Sequence, residues 1–87
     1  MSALSVPELE TTTAAEIVDA RGAACPVPLL EAKKGIGKVA VGDVIEIWSS
    51  DPVTKTDMSA WAGKVGHEFL GYLEAEGYDR VFIRRGK

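Results

Sequence analysis

The amino-acid sequence predicts an α/β fold: a two-layer α/β sandwich in which a four-stranded mixed sheet carries two helices on one face. Three observations lead there. Eighty-seven residues, 46% hydrophobic and 26% charged, suit one small globular domain and leave no room for two. Two short β-prone runs are each followed by a helix opening marked by proline. Two later strand-like runs are joined by a tight connection at Gly77-Tyr78, as in a hairpin. The predicted order is β-α-β-α-β-β.

Each element has its own signal. Residues 1–15 show no sustained period and contain Thr11-Thr12-Thr13, so they read as a flexible lead-in to a single domain over 16–87. Ile17-Val18-Asp19 is β-prone and is ended by Gly22. Pro26 and Pro28 mark a helix start, because proline's missing N–H has no partner to lose in a first turn. Leu29, Ala32, Ile36 and Val39 recur near helical spacing, and Gly35 and Gly37 set the expected end. After a turn at Gly42-Asp43, Val44–Trp48 alternates as a strand, Ile45 and Ile47 on one face and Val44, Glu46 and Trp48 on the other. Asp51-Pro52 reads as N-cap and first helical residue, followed by an apolar stripe at Met58, Trp61, Ala62 and Val65. Gly66 suits the position after a helix end. Phe69–Glu76 and Arg80–Arg85 are the last two strands. A strand-helix-strand crossover this short implies that the first two strands are parallel.

Composition excludes several function classes. The net charge is −3, against the basic excess that broad nucleic-acid binding requires, so no direct nucleic-acid partner is expected. Residues 1–20 hold four acids and no base, whereas the rest holds ten bases and nine acids, so the acidity is concentrated in the lead-in. Gly22–Leu30 is the longest uncharged stretch with apolar mass, far below the roughly 20 residues of a membrane span. No base precedes Arg21, so a basic targeting start is missing. One cysteine cannot form an internal disulfide, and a lone thiol suits the cytoplasm.

That thiol, Cys25, carries the chemistry. The predicted topology places it after the first strand and at the start of the first helix. Asp51 occupies the matching position after the second, parallel strand. Both helix starts then lie at the carboxyl edge of the sheet, where open α/β sheets place ligands. Each contributes roughly half a positive charge, which favours thiolate, the nucleophilic form. Pro26 and Pro28 leave only Val27 and Leu29 as early amide donors and stiffen the turn. A sulfur with no general base nearby in sequence suits sulfur exchange better than acyl transfer. Against this stands the ordinary fate of a free cysteine, a small buried hydrophobe.

The pattern Asp19-x-x-Gly22-x-x-Cys25-Pro26-Val27-Pro28, followed by Gly42-Asp43, Asp51-Pro52, Gly66-His67-Glu68 and Ile83-Arg84-Arg85-Gly86, resembles the TusA/SirA-like sulfur carriers over about residues 16–87. It departs at Ala23, where many relatives have Leu, and at Gly35 and Gly37, where they carry basic side chains. The resemblance implies that Cys25 takes a sulfane sulfur as a persulfide and passes it to a partner's cysteine. Donors would be cysteine desulfurases or rhodanese-like proteins; acceptors would feed tRNA thiolation, sulfur-cofactor supply or sulfur oxidation. It implies no cofactor, and it places the family's acidic residue on Asp51. Arg21, Lys33 and Asp51 are candidates for docking partners. A second reading makes Cys25 a redox-sensing thiol in a regulatory module that binds protein or RNA.

Other residues weigh less. His67 is the only histidine and is placed toward the edge opposite Cys25, so no metal site is expected. Trp61 is expected in the core. Trp48 is expected on the sheet face without helices, as a partly covered surface aromatic, with a contact patch formed with Val44 and Phe82 as the alternative. Arg84, Arg85 and Lys87 form a basic end.

Overall fold

A computed structural model describes residues 14–23 and 27–87. The elements run β1 (Glu16–Asp19), α1 (Val27–Ile36), β2 (Val44–Ser49), α2 (Thr54–Val65), β3 (Glu68–Ala75) and β4 (Tyr78–Arg84). The sheet order is β1-β2-β4-β3, with β1 parallel to β2 and the other pairs antiparallel. This is the predicted mixed sheet. The lead-in through Thr13 lies outside the described residues, and Ala15 N–H already donates to the Val44 carbonyl.

Both helices pack on one face. Ala32 and Ile36 of α1 and Met58 and Ala62 of α2 share a core with Val18, Ile45, Ile47, Val81 and Ile83. Gly35 lets α1 approach closely: a Cβ there would lie 2.6 Å from Val18 Cγ2. The helix ends at Ile36, as its glycines suggest. Gly66 closes α2 in the left-handed region, its N–H donating to the Ala62 carbonyl.

Four expectations change. Asp51-Pro52 does not open α2. Thr54 N–H donates to the Asp51 carbonyl and Val53 N–H to Asp51 Oδ1, so the Asp51 side chain caps a turn and the helix begins two residues later than expected. Val65, expected in the buried stripe, is exposed, because it is the last residue of α2 and lies at the rim of the groove between the helices. Trp61 packs against the core from its edge and is half-buried. On the reverse face, Val44 and Phe82 are not an exposed patch. They form a second buried cluster with Leu70 and Leu73 of β3, and the Arg80 guanidinium lies over the Phe82 ring.

A bulge explains how β3 supplies that cluster. The register to β4 slips between Phe69 and Gly71. Strict alternation would put Phe69 on the face of Leu73; the extra residue turns Phe69 toward the helices, and Leu70 joins Leu73. Among the described residues no helix is long and apolar enough to cross a membrane.

Candidate functional site

The carboxyl ends of β1 and β2 are adjacent. Asp19 is in register with Trp48, and Ala20 N–H donates to the Trp48 carbonyl. The chains leaving the two strands therefore start side by side. The first makes a turn closed by Ala23 N–H to the Ala20 carbonyl, with Gly22 at φ 83°. Such a turn needs a residue that tolerates positive φ at its third position, which glycine does without strain. Gly22 N–H then donates to Ser50 Oγ at 2.8 Å and ties this turn to the segment after β2.

That second segment is held from inside. Ser49 Oγ donates to Thr54 Oγ1 at 2.8 Å and accepts from Asp51 N–H at 3.1 Å, and both Ser49 and Thr54 are buried. These three hydroxyl residues, Ser49, Ser50 and Thr54, escaped the sequence reading. Their signal was the run Ser-Ser-Asp-Pro-x-Thr, polar residues with turn and capping character just after an apolar strand. Lys55, on the first turn of α2, bonds the Pro52 carbonyl and Asp79.

Arg21 is held on several sides. Its Nε and Nη2 donate to Asp19 Oδ1 and Oδ2 at 2.9 and 2.8 Å, a fork-on-carboxylate pair. Its guanidinium carbon lies 4.8 Å from the Trp48 ring centroid and 5.0 Å from that of Tyr78. The Arg21 hydrogen bonds, side chain first and then backbone, hold the Asp19 carboxyl below its usual range. Beneath the aromatic pair, Glu46 Oε2 accepts from Trp48 Nε1 and from Arg80 Nε at 2.6 Å. Glu46 is 4% exposed, a buried carboxylate offset by two donors.

The predicted site residues fall into three groups. Arg21 and Asp51 belong to the two linked segments at the carboxyl edge. Pro28 is fully buried in the first turn of α1, while Cys25 and Pro26 lie outside the described residues. Lys33 is apart, on the last turn of α1, where it lines a groove between the helices with Leu29, Asp57, Trp61 and Lys64. At the other end of α2, His67 Nδ1 accepts from Gly86 N–H at 2.9 Å and its ring meets Trp61 edge-on. Burial first, then the charges of Arg85 and Lys87, push its pKa below the ordinary value. Among the described residues no group of three or more metal-ligating side chains gathers.

Known proteins resemble this chain in sequence and in fold. A family model described as sulfurtransferase TusA matches residues 16–85. YrkF of Bacillus subtilis is 44% identical over 71 residues, 80% of this chain; the chain spans only 38% of that relative's length. The sulfur carrier protein TusA of Pseudomonas entomophila is 34% identical over 68 residues, covering 78% of this chain and 85% of that protein. The crystal structure of a SirA-like protein from Desulfitobacterium hafniense superposes with a TM-score of 0.72 at 27% identity, over 83% of this chain and 99% of the other. The matched stretch includes both linked segments and the Cys25-Pro26-Val27-Pro28 motif that leads into α1, and with that extent of agreement the chain belongs to the TusA family of sulfurtransferases.

Proposed function

We propose that this protein carries a sulfane sulfur as a persulfide on Cys25. The observation that supports this best is the family match spanning the Cys-Pro-x-Pro motif, in a chain with no other cysteine. The thiolate of Cys25 attacks the terminal sulfur of a donor protein's Cys–S–SH. The donor's S–S bond breaks, its cysteine leaves as thiolate, and Cys25 holds Cys–S–SH, the outer sulfur keeping its proton. An acceptor cysteine thiolate then attacks that outer sulfur and releases the Cys25 thiolate. Neither step needs an external oxidant or reductant, because the sulfane sulfur keeps its oxidation level in both exchanges. The donor is a cysteine desulfurase or a rhodanese-like protein, the acceptor a cysteine-bearing protein of sulfur biosynthesis or oxidation. A reducing compartment such as the cytoplasm suits both steps.

The geometry around the motif is compatible with repeated docking. Val27 and Leu30 on α1 and Val53 before α2 are exposed, and Lys33 is exposed farther along α1, away from the motif. A transfer partner meets a small mixed surface, as suits transient complexes.

Intact mass after incubation with a persulfide donor tests the proposal. The expected adduct is one sulfur atom, about 32 Da, present on the wild type, absent in Cys25→Ser, and lost on addition of an acceptor thiol protein. An adduct retained in Cys25→Ser, or none in the wild type, overturns it. Partner binding that survives Cys25→Ala without any sulfur loading would favour a regulatory module.

A further inference from the structure

The reverse face of the sheet is buried more deeply than its described neighbours explain. Both helices pack on the other face. Val18 points to the helices, so Ile17 on β1 points to the reverse face with Glu46, its partner in register. Ile17 is 52% exposed, as an apolar residue on an open face should be. Leu70 and Leu73 lie on the same face at the opposite edge strand, yet they are 0% and 7% exposed, and Phe82 between the edges is 0% exposed.

Adjacent side chains do not supply this cover. Phe82 is in register with Glu46 on one side and Gly71 on the other. Gly71 has no side chain to offer, and the Glu46 carboxylate is engaged by Trp48 Nε1 and Arg80 Nε. Arg80 lies over the Phe82 ring and faces Leu73 across the strand pair, but Leu70 lies beyond its register. Arg84 is drawn to Glu68 and its side chain is 43% exposed. A further layer is needed. It belongs to the same chain, because the burial exists within one molecule.

Two stretches lie outside the described residues. Residues 24–26 join Ala23 to Val27 near the carboxyl ends of β1 and β2, where Asp19 is in register with Trp48. The cluster lies toward the other end, since Val44 is the first residue of β2 and Phe82 stands two residues before the end of β4. Residues 1–13 join the sheet there: Ala15 N–H donates to the Val44 carbonyl at 2.8 Å, at the corner of the cluster. That length of chain reaches up to about 45 Å, against a largest molecular extent of 28 Å. Its composition also suits the face. Leu4, Val6, Pro7 and Leu9 are apolar, and Glu8 and Glu10 are its only charged side chains. The face carries Arg80 and Arg84; a guanidinium has five N–H donors, of which Glu68 takes one from Arg84.

We propose that residues 1–13 form a third layer, crossing the reverse face from the start of β2 toward β3, with their apolar residues on Leu70, Leu73 and Phe82 and their two glutamates beside Arg80 and Arg84. The segment is then an integral cover and not the loose lead-in that its lack of period suggests. Without it the face would be an apolar patch open to other chains. The inference does not depend on the sulfur chemistry of Cys25.

Nuclear Overhauser effects in the whole 87-residue chain test it. The expected result is contacts from the Leu4, Val6 or Leu9 methyls to the Phe82 ring and the Leu70 and Leu73 methyls, with backbone order parameters over residues 4–10 near 0.85, the value of rigid backbone. Order parameters below about 0.6 there with no such contacts overturn the proposal. So do contacts seen only between differently labelled molecules in a mixed sample, which would make a second copy the cover. A variant carrying Leu4→Ser, Val6→Ser and Leu9→Ser together gives a second reading. Its urea midpoint falls and its binding of the dye ANS, a probe of exposed apolar surface, rises severalfold. Ile17→Ser, at the exposed position on the same face, gives the smaller change in both. A triple variant with the wild-type midpoint and no added dye binding overturns the proposal.

Discussion

Single residues decide more here than their types suggest. Gly35 has the lowest helix propensity short of proline, and replacing it with Ala in an exposed helix would gain roughly 1 kcal/mol. At this position the added Cβ would meet Val18 Cγ2 at 2.6 Å, in a buried contact between α1 and β1. Overpacking of that kind costs about 1–3 kcal/mol, so the steric loss outweighs the propensity gain. Gly35→Ala is expected to lower the urea midpoint, and the double variant with Val18→Ala to lose less than the sum of the two single effects. His67 works in the opposite sense to a paired cation. Its folded pKa lies below its ordinary 6.5, so its contribution to stability is full above that value and is lost as pH falls through the folded pKa. Between pH 7 and pH 5 the wild type should lose more of its thermal midpoint than His67→Gln, which keeps an acceptor for Gly86 N–H but cannot titrate.

At the scale of elements, the segment joining β2 to α2 is where side chains replace regular structure. Ser49 is the last residue of β2 and its hydroxyl serves both Asp51 N–H and Thr54 Oγ1. Removing it leaves a buried hydroxyl and a backbone N–H to find other partners, at about 1–3 kcal/mol. Ser49→Ala should therefore destabilise by that amount in chemical denaturation. It should also speed exchange at the Gly22 amide, because Ser50, the acceptor of Gly22 N–H, follows Ser49 directly. A stability loss confined to a few tenths of a kcal/mol would mean that water satisfies the site.

Over the whole molecule, the sheet's two faces are unlike. One face receives both helices; the reverse face carries the Val44, Leu70, Leu73 and Phe82 cluster and the Glu46–Arg80 pair. The groove between the helices is lined by Lys33, Lys64 and Asp57 among its charged residues. If Lys33 meets an acidic partner during sulfur transfer, Lys33→Glu should slow transfer severalfold at low salt, and the defect should shrink as ionic strength rises. Transfer kinetics with one donor protein at two salt concentrations measure this. An equal rate for the two proteins at low salt would remove Lys33 from the docking surface.

The order of elements, the parallel first pair, the closing hairpin and the Cys-Pro-x-Pro motif were legible in the sequence, because hydrophobic period, proline placement and turn glycines act over a few neighbouring residues. The start of α2 was misread by two residues, since Asp51 caps a turn as readily as a helix and only the surrounding bonds distinguish the two. The burial of Val44 and Phe82 was missed because it depends on a bulge that rotates Phe69 away from Leu73, and one extra residue in a strand leaves no periodic trace. The contacts of Arg21 join residues 19, 21, 48 and 78. Nothing local relates those positions; they meet only because β1, β2 and β4 lie side by side, so tertiary structure alone determines how the turn carrying Arg21 is held.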